Sequence, residues 1–229
     1  MNSFPLRGLL LDFYGTIVEQ DDGLIGEICA QISRVSPQEV TPAEVGTLWA
    51  QAFGGLCVQS YGATFRPQKE LERISLQQVL RQFGCDLDPD ILSQPLYAYW
   101  RHPALYPESK EVLARCELPI CLVSNIDNDE MQAALRATGL RFEHVVTSDD
   151  CRAYKPRREV FDRGVSLLGL PREAVLYVGD SLGSDVRGAK SAGIPVAWVN
   201  RKQRPAPAGS DAPDYVWADL RDLLDWLPD

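Results

Sequence analysis

Leu9-Leu10-Leu11-Asp12-Phe13-Tyr14-Gly15-Thr16 is a short apolar run that ends in an acidic, aromatic and glycine-containing cluster. The arrangement recurs. Ile120-Cys121-Leu122-Val123 ends in Ser124-Asn125, and Val175-Leu176-Tyr177-Val178 ends in Gly179-Asp180-Ser181-Leu182-Gly183-Ser184-Asp185. His144-Val145-Val146 and Pro195-Val196-Ala197-Trp198-Val199 are further apolar runs. Unbroken apolarity over so few residues suits strands buried on both faces, as in a parallel sheet. Helical patterns lie between the runs. Residues 127–138 begin with Asp and Asn and stop at Gly139, and 184–192 stop at Gly193. Residues 157–168 follow Pro156 and place Phe161, Val165 and Leu168 on one face. Strand-helix alternation predicts an α/β fold with a doubly wound parallel sheet.

One stretch breaks the rhythm. Residues 20–103 carry no strand signal but several helical ones, over 44–53, 70–83 and 90–100. Leu71, Ile74, Leu76, Val79, Leu80 and Phe83 form a broad apolar stripe in the clearest of them. The spacing therefore predicts a core made of residues 1–19 and 104–229 with a helical cap inserted at 20–103, the sheet resuming near Tyr106. Residues 203–213 read as a surface loop before a last strand over 215–218. The acidic stretch Glu19 to Asp22 reads as a solvated loop, and the five tryptophans as packing rather than a substrate cage.

Composition narrows the function. The chain has 229 residues, 45% hydrophobic and 24% charged, which fits a globular protein rather than a disordered one. Its 23 Lys and Arg against 32 Asp and Glu give a net charge of −9, so no global basic field attracts nucleic acid. No run approaches the roughly 18 apolar residues of a membrane span. The first residues lack the layout of a secretory signal, and a cytoplasmic protein is expected. The six cysteines include no Cys-x-x-Cys pair and read as structural thiols. With only His102 and His144, a multi-histidine zinc site is excluded.

In open α/β sheets the carboxyl ends of the strands form the ligand crevice. Asp12, Thr16, Ser124, Asn125, Asp180 and Asp185 all follow strands, and Lys155-Pro156 lies in the loop after the 144–146 run. Carboxylates gathered there can hold a hard cation such as Mg²⁺. One of them can also act as a nucleophile. An ammonium and a metal would offset the repulsion between a carboxylate and an anionic substrate.

These residues resemble the motifs of the haloacid dehalogenase-like hydrolase superfamily. Asp12-Phe13-Tyr14-Gly15-Thr16 is similar to its first motif, Ser124-Asn125 to the second, Lys155-Pro156 to the third, and Gly179-Asp180 with Asp185 to the fourth. The resemblance covers about 5–18 and 104–220, and it implies a Rossmann-like core under a cap that selects a small-molecule substrate. It also implies roles. Asp12 would be the nucleophile, and Asp12, the Tyr14 backbone carbonyl and Asp180 would hold Mg²⁺. Thr16, Ser124 and Asn125 would contact the transferring group. Lys155 would bridge Asp12 and the substrate, with Asp185 holding Lys155 or the metal shell. In the cap, Arg66, Lys69 and Arg101 are candidate substrate contacts.

Tyr14 departs from the family's phosphatases, where an acid-base Asp stands two residues after the nucleophile. Such a group contributes roughly 10²–10⁴ in rate, and a phenol is a poor substitute at neutral pH. Asp-x-Tyr-Gly-Thr is instead the version found in 2-haloacid dehalogenases, whose halide leaves without a proton. Against that reading, Gly179-Asp180 is intact, and Trp49 is followed by Ala50-Gln51 rather than by an arginine. The expectation from sequence is therefore Mg²⁺-dependent hydrolysis of a phosphate ester through Asp12, weakened on poor leaving groups. Dehalogenation is the alternative, and a low-turnover phosphate-binding or regulatory protein a third. Composition leaves the oligomeric state open.

Overall fold

In the computed structural model, which describes residues 6–227, the chain folds around one six-stranded parallel sheet. The strands are β1 (Gly8–Leu11), β2 (Ile120–Ser124), β3 (His144–Thr147), β4 (Val175–Gly179), β5 (Val196–Val199) and β6 (Tyr215–Trp217), in the order β3-β2-β1-β4-β5-β6. Leu9 pairs with Ile120 on one side and Leu176 on the other, so β1 is central. Leu9, Leu10 and Leu11 are fully buried, as both-face burial requires. Alternate side chains face opposite ways. Leu9 and Leu11 join one hydrophobic cluster, and Leu10 joins another with Val160, Phe161 and Val186.

Between β1 and β2 stand α1 (Asp22–Val35), α2 (Pro42–Gln59), α3 (Gln68–Gln82), α4 (Pro89–Arg101) and the short α5 (Ser109–Arg115). The helices α6 (Asn128–Thr138), α7 (Ser148–Cys151), α8 (Arg158–Leu168) and α9 (Arg187–Ser191) connect the later strands. The cap helices share an apolar cluster with the sheet: Trp49, Leu76 and Trp100 belong to the same cluster as Leu9 and Val178. α2 starts with a capping box in which the Thr41 side chain accepts from the Glu44 amide and Glu44 accepts from the Thr41 amide.

Two expectations need correction. The sheet does not resume near Tyr106. Leu105 makes only an isolated antiparallel bridge to Val18, and α5 intervenes before β2. The stretch from Glu19 to Asp22 is a solvated loop only in part: Glu19 and Asp22 are exposed, but Gln20 and Asp21 are half-buried and the backbone is tied down. The Glu19 amide donates to the Ala104 carbonyl at 2.8 Å, and Tyr99 donates to the Glu19 carbonyl at 2.9 Å. These two adjacent crossings form the neck between cap and core. All six cysteines are free. No helix among the described residues is long and apolar enough to cross a membrane.

Candidate active site

Asp12 is the residue next after β1, at the centre of the sheet and at the carboxyl end where the crevice forms. It is 5% exposed, as is Lys155, whose ammonium donates to Asp12 Oδ1 at 2.6 Å. The Lys155 ammonium also donates to Asp185 Oδ1 at 2.7 Å, to the Val123 carbonyl at 3.2 Å and to the Tyr177 hydroxyl at 3.0 Å. Tyr177 in turn donates to Asp185 Oδ1 at 2.7 Å. The second Asp185 oxygen accepts from the Ser181 amide at 2.9 Å. Of the two places left open for Asp185, the geometry puts it on Lys155.

The backbone makes this crowding possible at two glycines. Gly15 has φ of +87°, and a Cβ there would lie 2.7 Å from the Asp180 carboxyl. At Gly179 a Cβ would lie 2.6 Å from the Asp185 carboxyl. The chain thus brings Asp12, Asp180 and Asp185 together, with ligand oxygens all within 4.8 Å of one another.

Burial raises the Asp12 carboxyl to about 6, although the Lys155 charge opposes it. Burial also raises Asp180, to about 8, reinforced by the charges of Asp12 and Asp185. For Lys155, burial works against the charged form, but Asp12 and Asp185 outweigh it and hold the ammonium protonated. Asp180 is less completely satisfied than Asp185. Gln20 Nε2 donates to Asp180 Oδ2 at 2.5 Å and Arg204 stands 3.9 Å from the same oxygen, while no described residue donates to Oδ1. A set of hard oxygen donors with excess negative charge fits Mg²⁺.

The remaining predicted residues are placed as follows. Thr16 donates to Asp12 Oδ2 at 3.0 Å. Ser124 ends β2 and is buried beside the site. Asn125 clamps the Lys155 backbone, accepting from its amide at 2.8 Å and donating to its carbonyl at 3.3 Å, and so positions the ammonium. The cap cations are committed elsewhere. Arg66 pairs with Glu70 at 3.1 Å, and Lys69 and Arg101 both reach Glu130 Oε1, at 2.8 and 3.2 Å. The sequence reading missed Gln20 and Tyr177. Tyr177 carried one signal, a hydroxyl in an otherwise apolar strand, whereas Gln20 carried none.

Tyr14 turns away from the reacting groups. Its ring packs edge-on against Phe13 with centroids 5.1 Å apart, and its hydroxyl donates to the Trp100 carbonyl at 2.5 Å. Burial, reinforced by Asp21 and Glu130, lifts this phenol far above its ordinary value, so it neither gives nor takes a proton.

A buried, charge-clamped carboxylate at the switch point of a doubly wound sheet, under a helical insertion, defines a capped α/β hydrolase. Residues 6–193 match the haloacid dehalogenase-like hydrolase family, and the chain belongs to it. The (S)-2-haloacid dehalogenase of Pseudomonas sp. (strain YL) is 26% identical over 225 residues, covering 96% of this chain and 94% of that protein. The (S)-2-haloacid dehalogenase H-109 of Pseudomonas putida is 23% identical over 231 residues, covering 98% and 99%. A solved L-2-haloacid dehalogenase superposes with a TM-score of 0.77 at 21% identity, covering 96% of this chain and 98% of that one. These findings correct the main functional expectation. Relatives along the whole length are named as dehalogenases, which overturns Mg²⁺-dependent hydrolysis of a phosphate ester in favour of the alternative.

Proposed function

We propose that this protein displaces halide from a small 2-halo carboxylic acid, with Asp12 as the nucleophile. The observation that carries the proposal is the tied-off hydroxyl of Tyr14. With no proton donor two residues after the nucleophile, the group that leaves must be stable without one, and a halide is.

An Asp12 oxygen bonds to C2 as the carbon-halogen bond breaks, and the halide departs with the electron pair. Attack from behind inverts C2. Water then adds to the Asp12 carboxyl carbon, and the ester opens to release a 2-hydroxy acid and regenerate the carboxylate. Water's proton needs an acceptor. Asp185 is held by Lys155, Tyr177 and Ser181, which leaves Asp180 as the carboxylate with an open oxygen. Lys155, 2.6 Å from Asp12, stabilises the oxyanion formed in the second step and returns a proton to the departing alkoxide. Thr16 fixes the Asp12 rotamer, and Ser124 would meet the polar end of the substrate. Asp12, Asp180 and the Tyr14 carbonyl would also hold Mg²⁺, which when bound would supply positive charge beside the carboxylates.

Chloride release from (S)-2-chloropropionate tests the reading. The expected result is release that survives a chelator, yields (R)-lactate and vanishes in Asp12→Asn. One turnover in ¹⁸O-water should place the label in Asp12. Folded protein that releases no chloride from this substrate would overturn the proposal.

A further inference from the structure

Within the cap, α1, α2, α3 and α4 line a half-open cavity of about 320 Å³, at the small end for ligand pockets. Trp49, Phe53 and Trp100 form its aromatic walls, and Asp21, Gln68 and Glu72 supply its polar atoms. Trp49 and Trp100 are each 4% exposed, so their packing role stands, but they also present indole to an interior space. Both indole N–H groups are occupied: Trp49 donates to Ser75 at 3.1 Å and Trp100 to Asp21 at 2.8 Å.

Glu72 is the anomaly. It is 7% exposed and lines this cavity, and no hydrogen bond or ion pair from a described residue reaches its carboxyl. A buried carboxyl without a partner is costly to ionise. The nearby cations do not serve it, since Lys69, one turn earlier on α3, reaches Glu130 and Arg73 pairs with Asp90 at 3.8 Å. Gln68 Oε1 is likewise buried without a donor. No lysine or arginine lines the cavity. Two acceptors that lack donors, a second carboxylate and three aromatic faces call for a ligand that brings both N–H groups and positive charge.

We infer that the cap cavity is a binding site for a small organic ammonium ion, anchored on Glu72 and flanked by Trp49, Phe53 and Trp100. The inference does not rest on the reaction proposed at Asp12. The cavity borders the core at Trp100, whose carbonyl accepts from Tyr14, at Gln68, whose amide donates to Asp127, and at Asp21, next in the chain to Gln20.

The test is a titration of the full chain with benzylammonium and butylammonium, beside the neutral benzyl alcohol and butanol, read by calorimetry and tryptophan fluorescence. The ammonium ions should bind at least about tenfold more tightly than their neutral counterparts, and Glu72→Gln should remove that preference. Gln keeps the shape and removes the ionisable carboxyl, so the variant folds; its melting temperature checks this. Equal binding of charged and neutral probes, no binding of either ammonium, or an unchanged preference in Glu72→Gln would each overturn the inference. Because binding is read rather than turnover, failure here leaves the chloride assay at Asp12 untouched, and the converse.

Discussion

Tyr14 decides more of the chemistry than its distance from any reacting atom suggests. Its hydroxyl serves the Trp100 carbonyl and its proton affinity is far too high for acid-base work. Tyr14→Phe should therefore leave chloride release within a few-fold of the parent, where loss of a working acid would cost roughly 10²–10⁴. The same substitution strands a buried carbonyl and should lower stability by about 1–2 kcal/mol, read by chemical denaturation. The identity of Tyr14 was legible in the sequence, and so was its conflict with phosphatase chemistry. Its orientation was not, because the acceptor lies 86 residues away, on α4. Gly179-Asp180 weighed towards a phosphatase for a similar reason: the motif marks a carboxylate at a strand end, but what that carboxylate serves depends on neighbours such as Gln20.

At the scale of elements, one contact crosses from core to cap and acts as a helix cap. Asp127 precedes α6 yet makes no side-chain cap on it. Its carboxylate accepts instead from the Gln68 amide at 2.5 Å and the Lys69 amide at 3.1 Å, the first turn of α3. Free amides and the positive end of the helix dipole both favour a carboxylate there. Asp127→Ala should cost about 1–2 kcal/mol and increase proteolysis near the start of α3, with little change at the far end of the sheet. Strands were legible because apolar runs bounded by polar clusters leave few alternatives, and α3 because its stripe is broad. By contrast α1 was hidden: Gly23 and Gly26 weaken its propensity, and only Ile28, Cys29 and Ile32 are buried. The helix exists because the cap packs on that narrow face. Tertiary partners of this kind leave no trace in a local window.

Across the whole molecule, the buried carboxyls set how stability responds to pH. Burial, with Asp21 adding to it, raises Glu72 from the ordinary 4.5 to about 8. The folded protein thus holds a proton that the unfolded chain has released between those values. Folding stability from this group is complete below about pH 4.5, falls as pH rises through the window, and levels off above about 8. Glu72→Gln removes this pH dependence. Its melting temperature should match the parent at pH 4 and exceed it by at least about 5 °C at pH 8.5. A parallel pair of melting curves at all pH values would refute this assignment.

The neck adds a mechanical constraint. Glu19 and Ala104 are joined by one hydrogen bond, and Gln20 stands next in the chain, gripping Asp180. A cap that swings about these crossings drags Gln20 along, so the lid's angle and the restraint on Asp180 are geared together. A cap displaced at the neck would loosen the hold on that carboxylate.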